Sequence, residues 1–268
     1  MEKDSKVVVF AEFVALKEEV ERLRTELSMF LYDRDELTLV VCKNLEMEYM
    51  LVLGHIEHKA YNVQCKALRL KRKIELIQAR KNRQESVVES ELEDILDSEF
   101  EEYQRLLNEQ IEKMNNALNR SRFESLSNAD ERELKKLYHK IVKALHPDIN
   151  PDITDVQKDL FNKAVQAYED GDLISLRIIE EMIGDDISRE SKDSMVQLME
   201  EKQRLIEMIE VIKGEIDSIK ERFPYTMKEI LEDSEKVEER KCELEDIYEQ
   251  YQELIELYKA KIEEMLRV

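Results

Sequence analysis

Residues 134–151 read LKKLYHKIVKALHPDINP, and this stretch decides how the middle of the chain folds. Its apolar side chains recur three and four residues apart, the spacing that places them on one face of an α-helix. This apolar face consists of Leu134, Leu137, Tyr138, Ile141 and Leu145. A proline cannot continue a helix and disfavours helical geometry in the residue before it. The stretch therefore predicts an amphipathic helix over residues 131–145 that ends at the tripeptide His146-Pro147-Asp148.

The opposite face of this predicted helix is basic, although the chain as a whole is strongly acidic. Between Leu134 and Pro147 there are four lysines and no acid, whereas the formal net charge of the chain is −21. The basic face consists of Lys135, Lys136, His139, Lys140 and Lys143. Such a local contrast indicates a surface dedicated to an acidic partner.

A second helix is predicted after the tripeptide. Asp130 and Glu133 have capping-box spacing before the first helix, and Thr154 and Gln157 have it before the second. Gly171 provides the left-handed conformation that ends many helices. These signals predict two antiparallel helices with the tripeptide exposed at the turn between them.

Two segments of this region resemble the J-domain, the module of DnaJ-type (Hsp40) co-chaperones. Residues 134–151 match the second helix and loop of that family without a gap, and FNKAVQAYEDGD, at 161–172, matches its third helix. The tripeptide coincides with the family signature, and the resemblance covers about 50 of the 268 residues. It implies that this unit docks on an Hsp70 chaperone and favours the arrangement that hydrolyses ATP, through differential binding and without chemistry of its own.

The resemblance also implies a role for each matching residue. The tripeptide would trigger the Hsp70, and the basic face would steer the encounter. Tyr138 and Phe161 would support the helix pair, and Asn150 would support the loop. No catalytic residue, cofactor or metal is implied.

Parts of the family pattern are missing from this chain. The family's first helix is matched at best by residues 123–126, and we expect the end of the preceding long helix to pack in its place. The Gly/Phe-rich region, the zinc-binding cysteine module and the client-binding β domain found in the family have no counterpart. We therefore expect recruitment of an Hsp70 rather than general chaperoning.

The composition predicts that the rest of the chain is helical as well. Only 4 Gly and 3 Pro occur among 268 residues, whereas the turns of β-rich folds use both freely. Charged residues make up 39% and aromatic residues 6%, which is typical of long solvated helices. We predict an all-α fold with long-helix arms on both sides of the J-domain-like unit. Its three parts are an N-terminal hairpin or three-helix arm at 1–122, the J-domain-like unit at 123–184 and a C-terminal antiparallel coiled-coil hairpin at 185–268.

Apolar stripes with heptad-like spacing support the prediction of arms. One stripe runs from Leu198 to Phe223 and another from Met227 to Met265, with Pro224 between them. They predict an antiparallel pair of helices over 188–222 and 225–266. An N-terminal stripe pauses near Asp35, a candidate helix cap. The coiled coils could close within one chain or in a homodimer, since both arrangements bury the same stripes.

Two further clusters have an ordinary explanation beside a functional one. Eight basic residues from Lys66 to Arg83 could contact nucleic acid, but such a run is more often a helix face neutralised by acidic neighbours. The net charge also argues against nucleic-acid binding. His55 and His58 could share a metal, but no third ligand accompanies them.

The remaining signals exclude several classes of protein. Three widely spaced cysteines predict neither disulfides nor a zinc site and fit a reducing, cytoplasmic location. No stretch reaches the roughly 18 apolar residues of a membrane span, and the first residues lack a signal-peptide pattern. No catalytic constellation is recognisable, so we do not expect an enzyme. We expect a co-chaperone that recruits a cytosolic Hsp70 and holds a client or partner protein on its arms. The alternative is a coiled-coil scaffold with an inert J-like unit.

Overall fold

The structure, a computed structural model, describes residues 2–121, 126–183 and 194–267, with side chains from residue 11 onward. Every regular element in these ranges is a helix, which confirms the predicted all-α fold. None of the helices in these ranges combines the length and the apolar character needed to cross a membrane. Residues 123–125 of the expected first-helix match, and residues 188–193 of the predicted hairpin, lie outside the described residues.

The helices follow one another along the chain with short connections. Those of the first half are α1 (Glu2–Asp35), α2 (Cys42–Tyr49), α3 (His55–Asn82), α4 (Glu89–Glu99) and α5 (Glu101–Arg120). Two π-helical turns, π1 (Glu36–Val41) and π2 (Met50–Gly54), flank α2. Those of the second half are α6 (Asn128–Leu145), α7 (Asp155–Asp170), α8 (Leu173–Ile183), α9 (Met195–Lys220), α10 (Lys228–Leu231) and α11 (Ser234–Leu266).

The chain forms two compact units, and each is assembled from segments that are distant in sequence. Unit 1 contains Met1–Lys43 and Glu124–Thr226, and unit 2 contains Asn44–Phe123 and Met227–Val268. The predicted division at 122 and 184 therefore differs from the observed one, because each predicted arm contributes helices to both units.

In unit 1, α1 and α9 pack along their apolar stripes as a parallel pair. Val20 and Leu27 of α1 are buried with Leu205 and Ile209 of α9 in one core. Three ion pairs join the helices at sequence separations of 183, 177 and 181: Lys202–Glu19, Arg24–Glu201 and Arg34–Glu215. Because the separation stays nearly constant, the two helices run in the same direction.

Unit 2 contains a second parallel pair, formed by α3 and α11. Val63 and Ala67 of α3 are buried against Ile255 of α11, with several tyrosines of α11 packed around them. Gln64 donates a hydrogen bond to the Tyr251 hydroxyl, and Lys81 donates to the Met265 carbonyl, at separations of 187 and 184 residues.

The predicted antiparallel hairpin over 188–222 and 225–266 is wrong in its pairing. The predicted interruption at Pro224 is present, since α9 ends at Lys220 and α11 begins at Ser234. However, α9 packs on α1, and α11 packs on α3. An apolar stripe shows that a helix has a partner, but it does not identify that partner when four helices carry similar stripes.

Four of the eight basic residues between Lys66 and Arg83 form ion pairs with acids on α4, in line with the ordinary explanation. The ion pairs include Arg69–Asp97 at 2.8 Å, Arg72–Glu99 at 2.8 Å, Lys73–Glu93 at 2.6 Å and Arg80–Glu91 at 2.7 Å. Basic side chains that are paired with acids in this way are less available to bind the phosphates of a nucleic acid.

The pairing of α1 with α9 can be tested by carbodiimide coupling, which joins a lysine to a carboxylate in direct contact. We expect Lys202 to be coupled to Glu19, because Nζ and Oε2 lie 2.8 Å apart. Peptide mass spectrometry would detect the product, and its yield should not change on dilution, since both residues belong to one chain. The control is Lys202→Arg, which keeps the charge but removes the reactive amine. Couplings that join α9 mainly to α11 would contradict the observed pairing.

Candidate functional site

Helix α6 begins earlier than the sequence suggested and ends where Pro147 predicts. The Ser127 hydroxyl accepts a hydrogen bond from the Asp130 amide at 3.2 Å, so Ser127 is the N-cap. The predicted cap, Asp130, already lies inside the helix, while Ser127 has the extended backbone that an N-cap needs. At the other end, His146 follows α6 with an extended backbone.

The turn after α6 is held by a dense set of local hydrogen bonds. The His146 carbonyl accepts from the amides of Ile149 at 3.1 Å and Asn150 at 2.9 Å. The Asn150 side chain donates to the carbonyls of Lys143 and Ala144, at 3.2 and 2.9 Å. These carbonyls belong to the last turn of α6, which has no helical partners for them, so Asn150 closes the helix and orders the turn.

Helix α7 has both predicted end signals. Thr154 and Gln157 form the complete capping box, and Gly171 ends the helix with a φ of +70°. Helix α8 packs beside α6 and α7, and Arg177 of α8 makes two hydrogen bonds of 2.7 Å to Glu133 of α6. The predicted pair of α6 and α7 is therefore extended by a third helix.

The tripeptide is only partly exposed, in contrast to the prediction. His146 is 6% exposed, and its ring meets the Phe161 ring edge-on, with centroids 5.0 Å apart. Its Nδ1 accepts a hydrogen bond from the Asp148 amide at 3.1 Å. Burial lowers the pKa of His146, and the nearby Arg34 acts in the same direction, against the opposing effect of Asp148. The imidazole is thus neutral and faces inward, while the Asp148 side chain remains 40% exposed.

Tyr138 supports the helix pair from the centre of unit 1. It is fully buried, and its ring stacks on that of Tyr168 at a centroid distance of 4.0 Å. Its hydroxyl donates to Asp35 at 2.7 Å, while the Tyr168 hydroxyl donates to Glu36. Burial, reinforced by the Asp35 carboxylate, raises the pKa of Tyr138. Asp35 is not the predicted helix cap, because the chain continues into π1 with a helical backbone.

Helix α1 packs on α6, on the side where we expected the end of the preceding long helix. Leu27 and Leu31 of α1 are fully buried in the core that contains Tyr138 and Ile141. The sequence suggested the end of the helix before α6 for this place. That helix, α5, belongs to unit 2, and α1 of unit 1 packs on α6 instead.

One flank of the basic face contacts residues at the junction of α1 and π1. Lys135 forms ion pairs with Glu36 at 3.0 Å and Glu131 at 2.8 Å, and these carboxylates raise its pKa. His139 meets the ring of Tyr32 edge-on at 5.4 Å, and burial lowers its pKa.

Further basic residues of α6 are exposed to solvent and follow one another along the helix toward the turn. This exposed basic row consists of Arg132, Lys136, Lys140 and Lys143. Lys140 reaches Glu180 at 3.0 Å, and Lys143 lies 3.4 Å from the Thr25 hydroxyl. Within the described part of the chain, Lys136 forms no ion pair. Sequence reasoning missed Arg132 because Glu131 and Glu133 flank it, although its position four residues before Lys136 places both on one face.

A residue from a distant part of the sequence also contacts the tripeptide. Arg204 of α9 donates from Nη1 to the Asp148 carbonyl at 2.8 Å. No local pattern could have identified this contact, because 56 residues separate the two.

Across the described ranges, no group of three His, Cys, Asp or Glu side chains is placed to hold a metal ion. His58 lies 3.3 Å from the side-chain oxygen of Gln110. Comparison with protein-family models, curated protein sequences and solved structures gave no match.

The neutral state of His146 can be measured by NMR titration of the imidazole protons. We expect its signal, identified by its loss in His146→Gln, to half-titrate below the ordinary histidine pKa of about 6.5. Because the unfolded chain then binds the proton first as the pH falls, unit 1 should lose stability below about pH 6.5. Half-titration at or above pH 6.5 would show that the imidazole is not held neutral by burial.

Proposed function

We propose that this chain is a J-domain-like co-chaperone that recruits an Hsp70 chaperone and stimulates its ATP hydrolysis. One observation carries the proposal: the exposed basic row of α6 leads directly to a turn in which the Asp148 side chain is 40% exposed, with its carboxylate 3.9 Å from His146 Nδ1. This combination of a basic helix face and an ordered turn is what the resemblance to the J-domain implies for an Hsp70-docking surface.

The electrostatics support an acidic docking partner. The exposed basic row stands out in a chain whose formal net charge is −21. A local patch of opposite sign orients an incoming acidic surface and raises the rate of productive encounters. Lys136 is available to such a partner, because no ion pair in the described residues holds its ammonium group.

In the proposed function, two side chains of the tripeptide, His146 and Asp148, have different roles. The buried, neutral His146 accepts from the Asp148 amide and packs on Phe161, so it shapes the turn. Asp148 presents its carboxylate to the partner. Neither group does chemistry; the stimulation arises if the complex is more stable with the hydrolysis-competent state of the Hsp70 than with its other states.

Client or partner binding on the arms would use their outward faces. The apolar stripes of α1, α3, α9 and α11 are already buried in pairs within the chain. A client or partner protein, or a second copy in a homodimer, would therefore contact the polar faces of these helices. The three free cysteines are compatible with the reducing cytosol, where a cytosolic Hsp70 would be encountered.

The scaffold with an inert J-like unit is the alternative, and one observation favours it. The His146 imidazole is buried, and Lys135 and His139 contact Glu36 of π1 and Tyr32 of α1, so part of the expected docking surface is occupied. The two functions differ in whether changes at the turn affect an Hsp70.

Asp148→Asn provides the sharpest comparison, because it removes one exposed charge and keeps the shape of the side chain. We expect it to reduce the stimulation of single-turnover ATP hydrolysis by a cytosolic Hsp70 roughly tenfold, the size of one lost charge-assisted hydrogen bond. Asp152→Asn, an exposed neighbour in the same loop, is the matched control and should retain the wild-type effect. Equal activity of both variants would contradict the role of Asp148. No stimulation by the wild-type protein of several Hsp70s would favour the scaffold.

Charge reversal tests the exposed basic row separately from the tripeptide. Lys136→Glu should raise the half-saturating concentration for Hsp70 stimulation several-fold at low salt, and the difference should shrink as salt screens the charges. Lys163→Glu changes the net charge equally on the exposed surface of α7, where Lys163 pairs with Asp159, and it should remain close to wild type. Equal losses in both variants would indicate a general effect of net charge and not a specific surface.

A further inference from the structure

A buried ionic network connects the pair of α1 and α9 to the tripeptide. Glu201 of α9 has a side chain only 2% exposed, and its carboxylate accepts from Arg24 of α1 at 3.0 Å. The same carboxylate accepts from Arg204 through Nε and Nη2, both at 3.0 Å. The third guanidinium nitrogen of Arg204, Nη1, donates to the Asp148 carbonyl at 2.8 Å.

The geometry of Arg204 is specific to a guanidinium. A planar fork of fixed donors can hold a carboxylate on one side and a carbonyl on another, whereas an ammonium is a single point charge. The buried Glu201 carboxylate fixes the orientation of the fork, since a charge away from water requires well-aligned partners. The position of Nη1 is thus determined by α1 and α9, not by the turn itself.

We propose that Arg204 is a positioning residue that holds the tripeptide in the conformation that stimulates the Hsp70. The α1–α9 pair thereby sets the geometry of a turn that is distant from it in sequence. This inference rests on the proposed function, and it adds that the small unit of α6 and α7 is not sufficient by itself. A change that separates α1 from α9 would release Arg204 and loosen the turn.

The exposed basic row and Arg204 should affect two different measured quantities, the half-saturating concentration and the maximum stimulation. The exposed basic row contributes to the affinity for the Hsp70, so it governs the half-saturating concentration. Arg204 faces the backbone of the tripeptide, so it governs the maximum stimulation reached at saturation. A residue that only stabilised the fold would lower the amount of active protein without a change in the order of the turn.

The test uses the full chain with Arg204→Lys, which keeps the positive charge beside Glu201 but lacks the fork. We expect the maximum stimulation of a cytosolic Hsp70 to fall roughly three- to tenfold with little change in the half-saturating concentration. Independently of any Hsp70, hydrogen exchange of the Ile149 and Asn150 amides, which donate to the His146 carbonyl, should become several-fold faster. Arg177→Lys is the control, because Arg177 also pairs with a carboxylate in unit 1 but does not contact the tripeptide.

Each combination of results has a definite meaning. Lower maximum stimulation together with faster exchange, in Arg204→Lys and not in Arg177→Lys, would support the inference. A variant unchanged in either property, while the wild-type protein stimulates, would overturn the inference and leave the proposed function intact. If the wild-type protein stimulates no Hsp70, the proposed function fails, and the inference that rests on it fails too.

Discussion

The stacked rings of Tyr138 and Tyr168 are the contact on which the arrangement of unit 1 depends. The two rings join α6 to α7, and their hydroxyls donate to Asp35, the last residue of α1, and to Glu36, the first residue of π1. A stacked aromatic pair contributes about 0.5–1.5 kcal/mol beyond its burial, and a hydrogen bond to a charged group about 1.5–3 kcal/mol. Since Tyr138 is fully buried, loss of the Asp35 carboxylate would leave its hydroxyl without this partner. This contact fixes which face of α6 turns inward, and therefore which basic residues remain in solvent.

The orientation of α6 about its own axis explains why its basic face has two parts. Residues on the side of α1 meet Glu36 and Tyr32, whereas those further round the helix point to solvent and lead to the turn. Three contacts hold the turn. The His146 ring packs on Phe161, the Asn150 side chain donates to the last carbonyls of α6, and Arg204 of α9 donates to the Asp148 carbonyl. A partner that reads the exposed basic row and Asp148 would thus meet a surface ordered by three separate parts of the chain.

Local signals allowed much of the small helical unit to be predicted from the sequence. Pro147, the capping box at Thr154 and Gly171 act on their immediate neighbours, so the end of α6 and both ends of α7 follow closely from them. The partners of α9 and α11 could not be predicted, because an apolar stripe accepts any similar stripe. The inward orientation of His146 was also out of reach, since it depends on Phe161 and on the packing of α1. Whether the unit acts on an Hsp70 remains a proposal that rests on the motif and its surroundings.

In the proposed function, the exposed basic row and the tripeptide form one docking surface. The most direct measurement is an NMR titration of the labelled chain with the ATPase domain and linker of a cytosolic Hsp70. We expect the amide signals of α6 from Arg132 to Lys143 and of the turn through Asn150 to shift or broaden together, while those of α3 and α11 do not. Perturbations confined to unit 2, or none at saturating concentrations of several Hsp70s, would contradict this expectation.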